Sequence, residues 1–109
     1  MSYAPNRENP NFFRNIQTVI NSFGENNIII GGDWNCLLDA EMDARNYRNV
    51  NNPQNRTEII NMATNFNLAD IWRQQHSDSR QYTWHRRMNN TIVQQGRLDY
   101  FLVADSLNN

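Results

Sequence analysis

The chain has few of the residues that cross-link or restrict a fold. It has one cysteine, three prolines and four glycines in 109 residues, and its ten basic residues are all arginine. A single cysteine, Cys36, excludes an internal disulfide and leaves neither a CxxC redox pair nor a zinc-binding spacing. No apolar run approaches the roughly 20 residues that span a bilayer, and no signal-like segment follows Met1. These absences favour an intracellular protein with no membrane partner.

Asparagine is the abundant residue, and it makes up roughly a fifth of the chain, against a few per cent in ordinary proteins. We interpret this excess, and the use of arginine alone, as biased genomic composition. The net charge is -1, so no global positive field attracts nucleic acid, and any phosphate binding has to be local. A chain of this length buries about 60–70% of its unfolded surface, which supports one domain with a modest core.

The pattern of apolar residues predicts the order strand, helix, strand, helix, strand, strand. Asn9 and Pro10 begin a helix that reaches about Phe23, and Gly24 ends it. The run Ile28–Ile30 predicts a strand that is covered on both faces. The polar stretch from 36 to 54 predicts a long surface loop.

The second half of the chain supplies the other predicted elements. Thr57, with Asn55 as the alternative cap, begins the second helix, whose apolar positions continue through Leu68 to Trp72 on a continuing or broken turn. Aromatic and branched residues predict strands over Tyr82–Trp84 and Arg97–Val103. The strand Met1–Tyr3 comes first. Helices on a mixed sheet leave open what covers its other face, so we expect half of a larger fold.

The glycines that follow the isoleucine strand place an acid and an amide in a turn. Asp33 and Asn35 are two apart, so on extended chain they point the same way while Trp34 turns back towards the protein. Groups just beyond strand ends are frequently functional in α/β proteins. The alternative is that Asp33 and Asn35 only cap the turn.

Five ordered segments, distributed along nearly the whole chain, resemble the endonuclease/exonuclease/phosphatase superfamily. They are most similar to the endonuclease domain of non-LTR retrotransposons, with apurinic/apyrimidinic endonucleases as more distant relatives. The segments are Tyr3-Ala4-Pro5-Asn6, Gly32-Asp33-Trp34-Asn35, Leu68-Ala69-Asp70-Ile71-Trp72-Arg73, Tyr82-Thr83-Trp84-His85 and Arg97-Leu98-Asp99-Tyr100-Phe101-Leu102. The resemblance implies an α/β fold, the later half of a four-layer α/β/β/α sandwich like that of deoxyribonuclease I. Residues 1–109 would form a partial domain without its N-terminal half and its C-terminal Ser-Asp-His segment.

The resemblance also implies a role for each matching residue. Asp33 would orient or deprotonate the attacking water, and Asn35 would hold a phosphate oxygen as charge develops. Asp99 would orient a histidine that is expected beyond this chain. Tyr3 would contact the scissile phosphate, and Asn6 would lie on the nucleic-acid face. Mg²⁺ would be the cofactor, with its principal glutamate ligand outside the chain, so we expect the chain alone to bind metal weakly or not at all.

Other residues carry alternatives. Arg86 and Arg87 are candidate DNA contacts, although arginine clusters are frequently just solvated surface. Asp99 has a structural alternative, a salt bridge with Arg97 or Arg80. Trp72 and Trp84 are predicted to be core residues, and His76 and His85 ordinary surface or strand residues.

These observations predict a Mg²⁺-dependent endonuclease that nicks DNA as part of a retrotransposon-like parent protein, while this chain alone is inactive. The expected partners are DNA and a reverse transcriptase domain in the same polypeptide, and the expected compartment is the nucleus. Two alternatives stay open. One is a phosphomonoesterase or inositol-phosphate phosphatase of the same superfamily, and the other is a noncatalytic nucleic-acid-binding remnant.

Overall fold

The fold is mixed α/β, as the computed structural model describes it over residues 4–5, 7–24, 27–47 and 52–107. These residues form three α-helices and two antiparallel three-stranded sheets. The elements in chain order are α1 (Pro10–Phe23), β1 (Ile29–Asp33), β2 (Ala44–Arg45), α2 (Pro53–Asn65), β3 (Leu68–Asp70), α3 (Ile71–Gln75), β4 (Trp84–Met88), β5 (Thr91–Gly96) and β6 (Asp99–Ala104). The strand predicted over Met1–Tyr3 lies outside the described residues. No helix in these ranges has the length and apolar character to cross a bilayer.

The first sheet has the strand order β1-β6-β3, and α1 and α2 cover one of its faces. Burial alternates along β6, where Tyr100, Leu102 and Ala104 are buried and Phe101 is exposed. The covered face packs against Phe13 of α1 and against α2. Such alternation is typical of a strand in an antiparallel sheet that buries one face and exposes the other. The residues of β6 that point to the buried face therefore belong to the core.

Within the described residues, no element covers the opposite face of this sheet. Ile29 is 61% exposed and Phe101 is 58% exposed, so the prediction that the isoleucine strand is covered on both sides is wrong for this chain. The Phe101 ring lies directly over Gly31, its cross-strand partner, and a Cβ at position 31 would sit 2.2 Å from that ring. The expectation of an open sheet face is confirmed. That a second sheet of a larger sandwich covers it stays a prediction.

We expect this open face to bind apolar dyes or to associate, because contiguous exposed apolar side chains do so. Replacing Phe101 with serine removes the largest of them and should reduce dye fluorescence and any concentration-dependent association seen by light scattering. Phe23, which is 71% exposed at the end of α1, provides the matched control. An equal reduction by Phe23→Ser would contradict the assignment of the dye site to the sheet face.

The first helix follows its prediction, whereas the second does not. Helix α1 spans Pro10–Phe23, and Gly24 ends it with a φ of 64°. Helix α2 begins at Pro53, so the predicted starts at Thr57 and Asn55 are wrong. The reason is that Asn52-Pro53 repeats the Asn-Pro signal that begins α1, since proline fits the first turn of a helix. Asn55 is fully buried inside the helix and ties it to the segment before α1.

The stretch from Leu68 to Trp72 does not extend α2, as one reading of the sequence predicted. Leu68–Asp70 forms the short edge strand β3, which pairs with β6, and helix α3 follows at once. The carboxylate of Asp70 caps α3 by accepting from the backbone N–H of Arg73 at 3.4 Å. This cap separates the two elements within one residue.

The second sheet has the order β2-β5-β4 and contains a β-hairpin that the sequence analysis missed. The hairpin β4–β5 turns at Asn89 and Asn90, whose φ angles are 49° and 66°. Two successive positive φ angles are typical of the tight turns that match strand twist. Trp84, predicted to be a core residue, is on this hairpin and is 36% exposed. The predicted loop over 36–54 also contains the short strand β2.

Within the described residues, every non-glycine residue with a positive φ is an asparagine. They are Asn35, Asn46, Asn52, Asn67, Asn89 and Asn90. Asparagine tolerates the left-handed region because its short side chain bonds locally to the backbone. In a chain with four glycines, asparagine takes over the turns that glycine ordinarily makes.

Candidate active site

The two aspartates that the resemblance singled out face each other across β1 and β6. Asp33 and Asp99 are register partners in this antiparallel pair, and both are exposed. The backbone N–H of Trp34 donates to the carbonyl of Leu98 at 2.8 Å. The adjacent pair Asp33–Asp99 is therefore a non-hydrogen-bonded pair, in which Cα atoms lie about 4.5 Å apart and side chains approach closely. The fold thus brings two carboxylates from distant parts of the sequence to one open face.

Asn35 lies in the turn that follows β1. Its φ is 51°, and its backbone N–H donates to Oδ1 of Asp33 at 3.0 Å. Its side-chain Nδ2 donates to the carbonyl of Ala4 at 3.1 Å. The turn-capping alternative for Asp33 is therefore correct as a description of local structure, but it leaves the carboxylate exposed and beside Asp99. Capping of the turn therefore leaves the carboxylate of Asp33 accessible.

The underside of the turn is rigid and apolar. Trp34 is buried, as predicted, and its Nε1 donates to the carbonyl of Tyr100 at 2.8 Å. The Trp34 and Tyr100 rings stack with centroids 5.3 Å apart, and the Tyr100 hydroxyl donates to the carbonyl of Cys36. Burial raises the pKa of the Tyr100 hydroxyl, and burial also raises the pKa of Cys36 to about 12. Neither group can therefore serve as a base or a nucleophile near neutral pH.

Thr83 fixes the backbone at the start of β6. Its Oγ1 accepts from the backbone N–H groups of Leu98 at 3.0 Å and of Asp99 at 3.2 Å. A cavity of about 360 Å³ lies beside this point, with Asp99, Thr83, Trp72 and Phe101 in its lining. Gly32, the neighbour of Asp33, also lines this cavity, whereas Asp33 and Asn35 do not.

Asp99 does not form the salt bridges considered as its structural alternative. Arg97 is 3% exposed and binds Asp43 and Asp70 instead. Arg80 donates to the carbonyl of Glu41. Within the described residues, no ion pair involves the carboxylate of Asp99. An acid placed in an otherwise apolar strand therefore keeps its carboxylate on the open face.

The polar residues that the sequence analysis missed form a buried network. Asp43 is 1% exposed and accepts from Nε of Arg97 at 2.9 Å and from Nη2 of Arg73 at 2.5 Å, and Arg97 also binds Asp70. Burial acts to raise the pKa of Asp43, but the hydrogen bonds from Arg97 and Arg73 outweigh it and hold that pKa below its usual value. Two residues of the network, Asp70 and Arg73, lie in the segment Leu68–Arg73. The resemblance of that segment to the superfamily was the signal in the sequence that could have indicated the network.

Arg86 and Arg87 lie on β4 of the hairpin, and both are exposed. The register of the β4–β5 pair shifts between them, so a β-bulge interrupts the ladder at this point. Next to Arg86, the ring of His85 bonds to Gln95 at 2.9 Å, and Gln95 in turn accepts from Arg45 at 3.2 Å. His85 and His76 are exposed, as predicted. The hairpin starts one residue after Thr83, so its base lies beside Asp99.

Tyr3 and Asn6, the other two predicted site residues, lie outside the described residues. The nearby segment is nonetheless anchored. Glu8 accepts from the backbone N–H groups of Gln54 and Asn55 at the start of α2, and the Asn55 side chain bonds to the backbone of Arg7 and Asn9. Ala4, next to Tyr3 in the sequence, accepts through its carbonyl from the side chain of Asn35.

Asp33 and Asp99 together provide a pair of the carboxylate oxygen ligands that Mg²⁺ prefers. Mg²⁺ binds through one or two carboxylates and keeps several waters, so Asp33 and Asp99 fit part of such a set. No group of three or more His, Cys, Asp or Glu side chains in the described ranges is arranged to hold a metal ion. Any tight metal site therefore needs further ligands.

Comparison with curated proteins finds a relative that informs the origin of the chain. No protein-family model matches the chain. The chain is 29% identical over 110 residues to the transposon TX1 uncharacterized 149 kDa protein of Xenopus laevis, a match that covers 96% of this chain. The chain spans only 8% of the length of that relative. The similarity is consistent with a chain derived from a transposon, and it assigns no catalytic activity.

Proposed function

We propose that this chain is part of a Mg²⁺-dependent endonuclease in a retrotransposon-derived protein, and that the longer parent polypeptide nicks DNA. The proposal rests on one observation above all. Asp33 and Asp99 are direct cross-strand partners on an open sheet face, and Asn35 occupies the turn beside them. The similarity to a transposon protein supports a DNA substrate over other phosphoesters.

Phosphodiester hydrolysis needs an activated water in line with the leaving oxygen and donors for the charge that develops on the phosphate. Asp33 is exposed and positioned by the turn, so it can orient and deprotonate that water. The bond to the Ala4 carbonyl fixes the amide of Asn35, which suits a preorganised donor to the phosphate. One such donor is typically worth about 2.7–4 kcal/mol in the transition state. Asp99 would orient a histidine supplied by another part of the parent.

Mg²⁺, when bound, would neutralise charge on the phosphate. Its principal ligand would be a glutamate elsewhere in the parent, and Asp33 is the carboxylate of this chain that would lie beside it, since Asp99 would orient the histidine. The residues of this chain perform the remaining tasks, which are to position the water, to hold a phosphate oxygen and to orient the general acid or base.

The hairpin is the proposed DNA contact. A two-stranded ribbon fits the major groove of DNA. The exposed Arg86 and Arg87 of β4 would then reach the phosphate backbone, and the exposed Arg45 of β2 adds a third charge to this sheet. Because the hairpin begins beside Thr83 and Asp99, DNA held there lies next to the two aspartates.

The function is tested by incubating the purified parent polypeptide with supercoiled plasmid and following its conversion to nicked circles. We expect nicking with Mg²⁺ and none with excess EDTA, and we expect the metal to restore it. A phosphomonoester such as a nucleoside monophosphate, assayed in parallel for phosphate release, should not be hydrolysed. Phosphate release without nicking would replace the endonuclease by a phosphomonoesterase.

The noncatalytic alternative has its own signature. A parent that binds DNA with a steep dependence on salt concentration, yet nicks no plasmid at any Mg²⁺ concentration, would be a nucleic-acid-binding remnant. Arginine contacts to phosphate produce such salt dependence, whether or not a reaction follows.

A further inference from the structure

We propose that Arg97, together with Asp43 and Asp70, is a positioning residue for Asp99, so that a buried charge network sets the geometry of the active site. This proposal rests on the proposed nuclease function. It assigns a role to residues that touch neither the phosphate nor the attacking water.

Arg97 is held by two carboxylates at once. Its Nε and Nη2 bind the two carboxylate oxygens of Asp43 at 2.9 Å and 3.3 Å, and its Nη1 reaches Asp70 at 3.3 Å. The backbone N–H of Arg97 also donates to the carbonyl of Asp43 at 2.8 Å. A planar guanidinium that is fixed on several sides has little freedom, and lysine does not reproduce this geometry. The residue two positions before Asp99 is therefore locked.

The network joins the segments that carry the site. Asp43 lies on the segment that follows Asn35, Asp70 lies at the end of β3, and Arg97 leads into β6. Trp72 packs its ring 5.2 Å from the Arg97 guanidinium and also lines the cavity beside Asp99. Movement of Arg97 would therefore shift both Asp99 and a wall of that cavity.

Stability alone explains this network poorly. Buried ion pairs rarely stabilise a fold more than apolar side chains of the same size, because desolvation opposes their attraction. The Nε of Arg73 is buried and has no hydrogen-bond partner within the described residues, so the network is not optimised for energy. Its two arginines and two aspartates cancel in charge, which keeps it from disturbing the field around Asp33 and Asp99. These features fit a role in fixing the relative positions of the segments that carry the site.

The test compares Arg97→Lys with the wild-type parent polypeptide. We expect kcat for plasmid nicking to fall about 10²-fold, as for a displacement of about 1 Å at a reacting group, while KM and the dissociation constant for DNA stay unchanged. Arg14→Lys is the matched control, since Arg14 is ion-paired with Glu58 on the helices. If Arg97→Lys does not fold, Arg73→Gln alters the network at its more exposed edge and is expected to show the same kcat loss.

A second measurement does not depend on activity. The N–H groups of Leu98 and Asp99 donate to Thr83, so displacement of this segment should speed their hydrogen exchange, while Ala104, further along β6, stays protected. Wild-type kcat and unchanged exchange at both amides would overturn the positioning role, and so would a kcat loss without faster exchange. If the wild-type parent does not nick DNA, the nuclease proposal fails, and unchanged exchange would still reject the positioning role by itself.

Discussion

Asp33→Asn is expected to lower the rate of DNA nicking by the parent polypeptide about 10²- to 10⁴-fold, the usual contribution of a general base. Asparagine keeps the oxygen that accepts from the backbone N–H of Asn35, so the turn is retained and only the charge is lost. The measurement is the initial rate of plasmid nicking at saturating Mg²⁺. Asp33→Ala removes both the charge and the cap, and it should be at least as inactive.

The pair of substitutions separates the two roles of Asp33. If the carboxylate only caps the turn, Asp33→Asn will nick DNA at the wild-type rate and Asp33→Ala alone will be impaired. Asp78→Asn is the control, because Asp78 is an exposed acid outside the helices and strands. Retention of full activity by Asp33→Asn would remove Asp33 from the catalytic machinery.

Asp43→Ala is expected to lower the free energy of unfolding by about 3–5 kcal/mol, because it removes the carboxylate shared by Arg97 and Arg73 and leaves Asp70 alone to balance two largely buried arginines. Urea denaturation followed by circular dichroism measures this change. Glu58→Ala is the matched control, since Glu58 is buried but pairs with Arg14, whose side chain is 57% exposed, so its removal leaves a charge that water can solvate and should cost less than Asp43→Ala. Equal losses in the two variants would contradict the distinction between a partner charge that is left buried and one that is left exposed.

Acid should reproduce part of the Asp43→Ala loss. The folded-state pKa of Asp43 lies below its unfolded value of about 3.9, so its contribution is complete above that pH and is lost as the pH falls through the folded pKa. We therefore expect the wild-type stability to decline below about pH 4, and the Asp43→Ala variant to decline less steeply over the same range.

Local signals in the sequence predicted the elements that depend on neighbouring residues. Helix α1 followed from Asn9-Pro10, its apolar spacing and Gly24, all within one segment. The resemblance brought together Asp33 and Asp99, and the register of β1 and β6 places them as partners. Their roles in catalysis stay predictions, as do those of Asn35 and the arginines of the hairpin.

The features that the sequence did not reveal depend on contacts between distant residues. In the sequence, Asp43 is one acid in a polar loop. Its burial depends on contact with Arg97, near the other end of the chain. The exposure of Ile29 is likewise a property of the sheet face, because an apolar run does not say whether one or both faces are covered. Asparagine is frequent throughout this chain, so the pair Asn89-Asn90 gave no distinctive signal for the hairpin turn.

The left-handed asparagines restrict how this sequence can change. An alanine at any of these six positions would carry a backbone strain of roughly 1–2 kcal/mol, whereas glycine would carry none. Substitutions at these turns are therefore best tolerated when they introduce glycine. Replacement of several of these asparagines by other residues would remove the small net stability that is typical of a folded domain. The backbone conformations of these turns therefore help to maintain the high asparagine content of the chain.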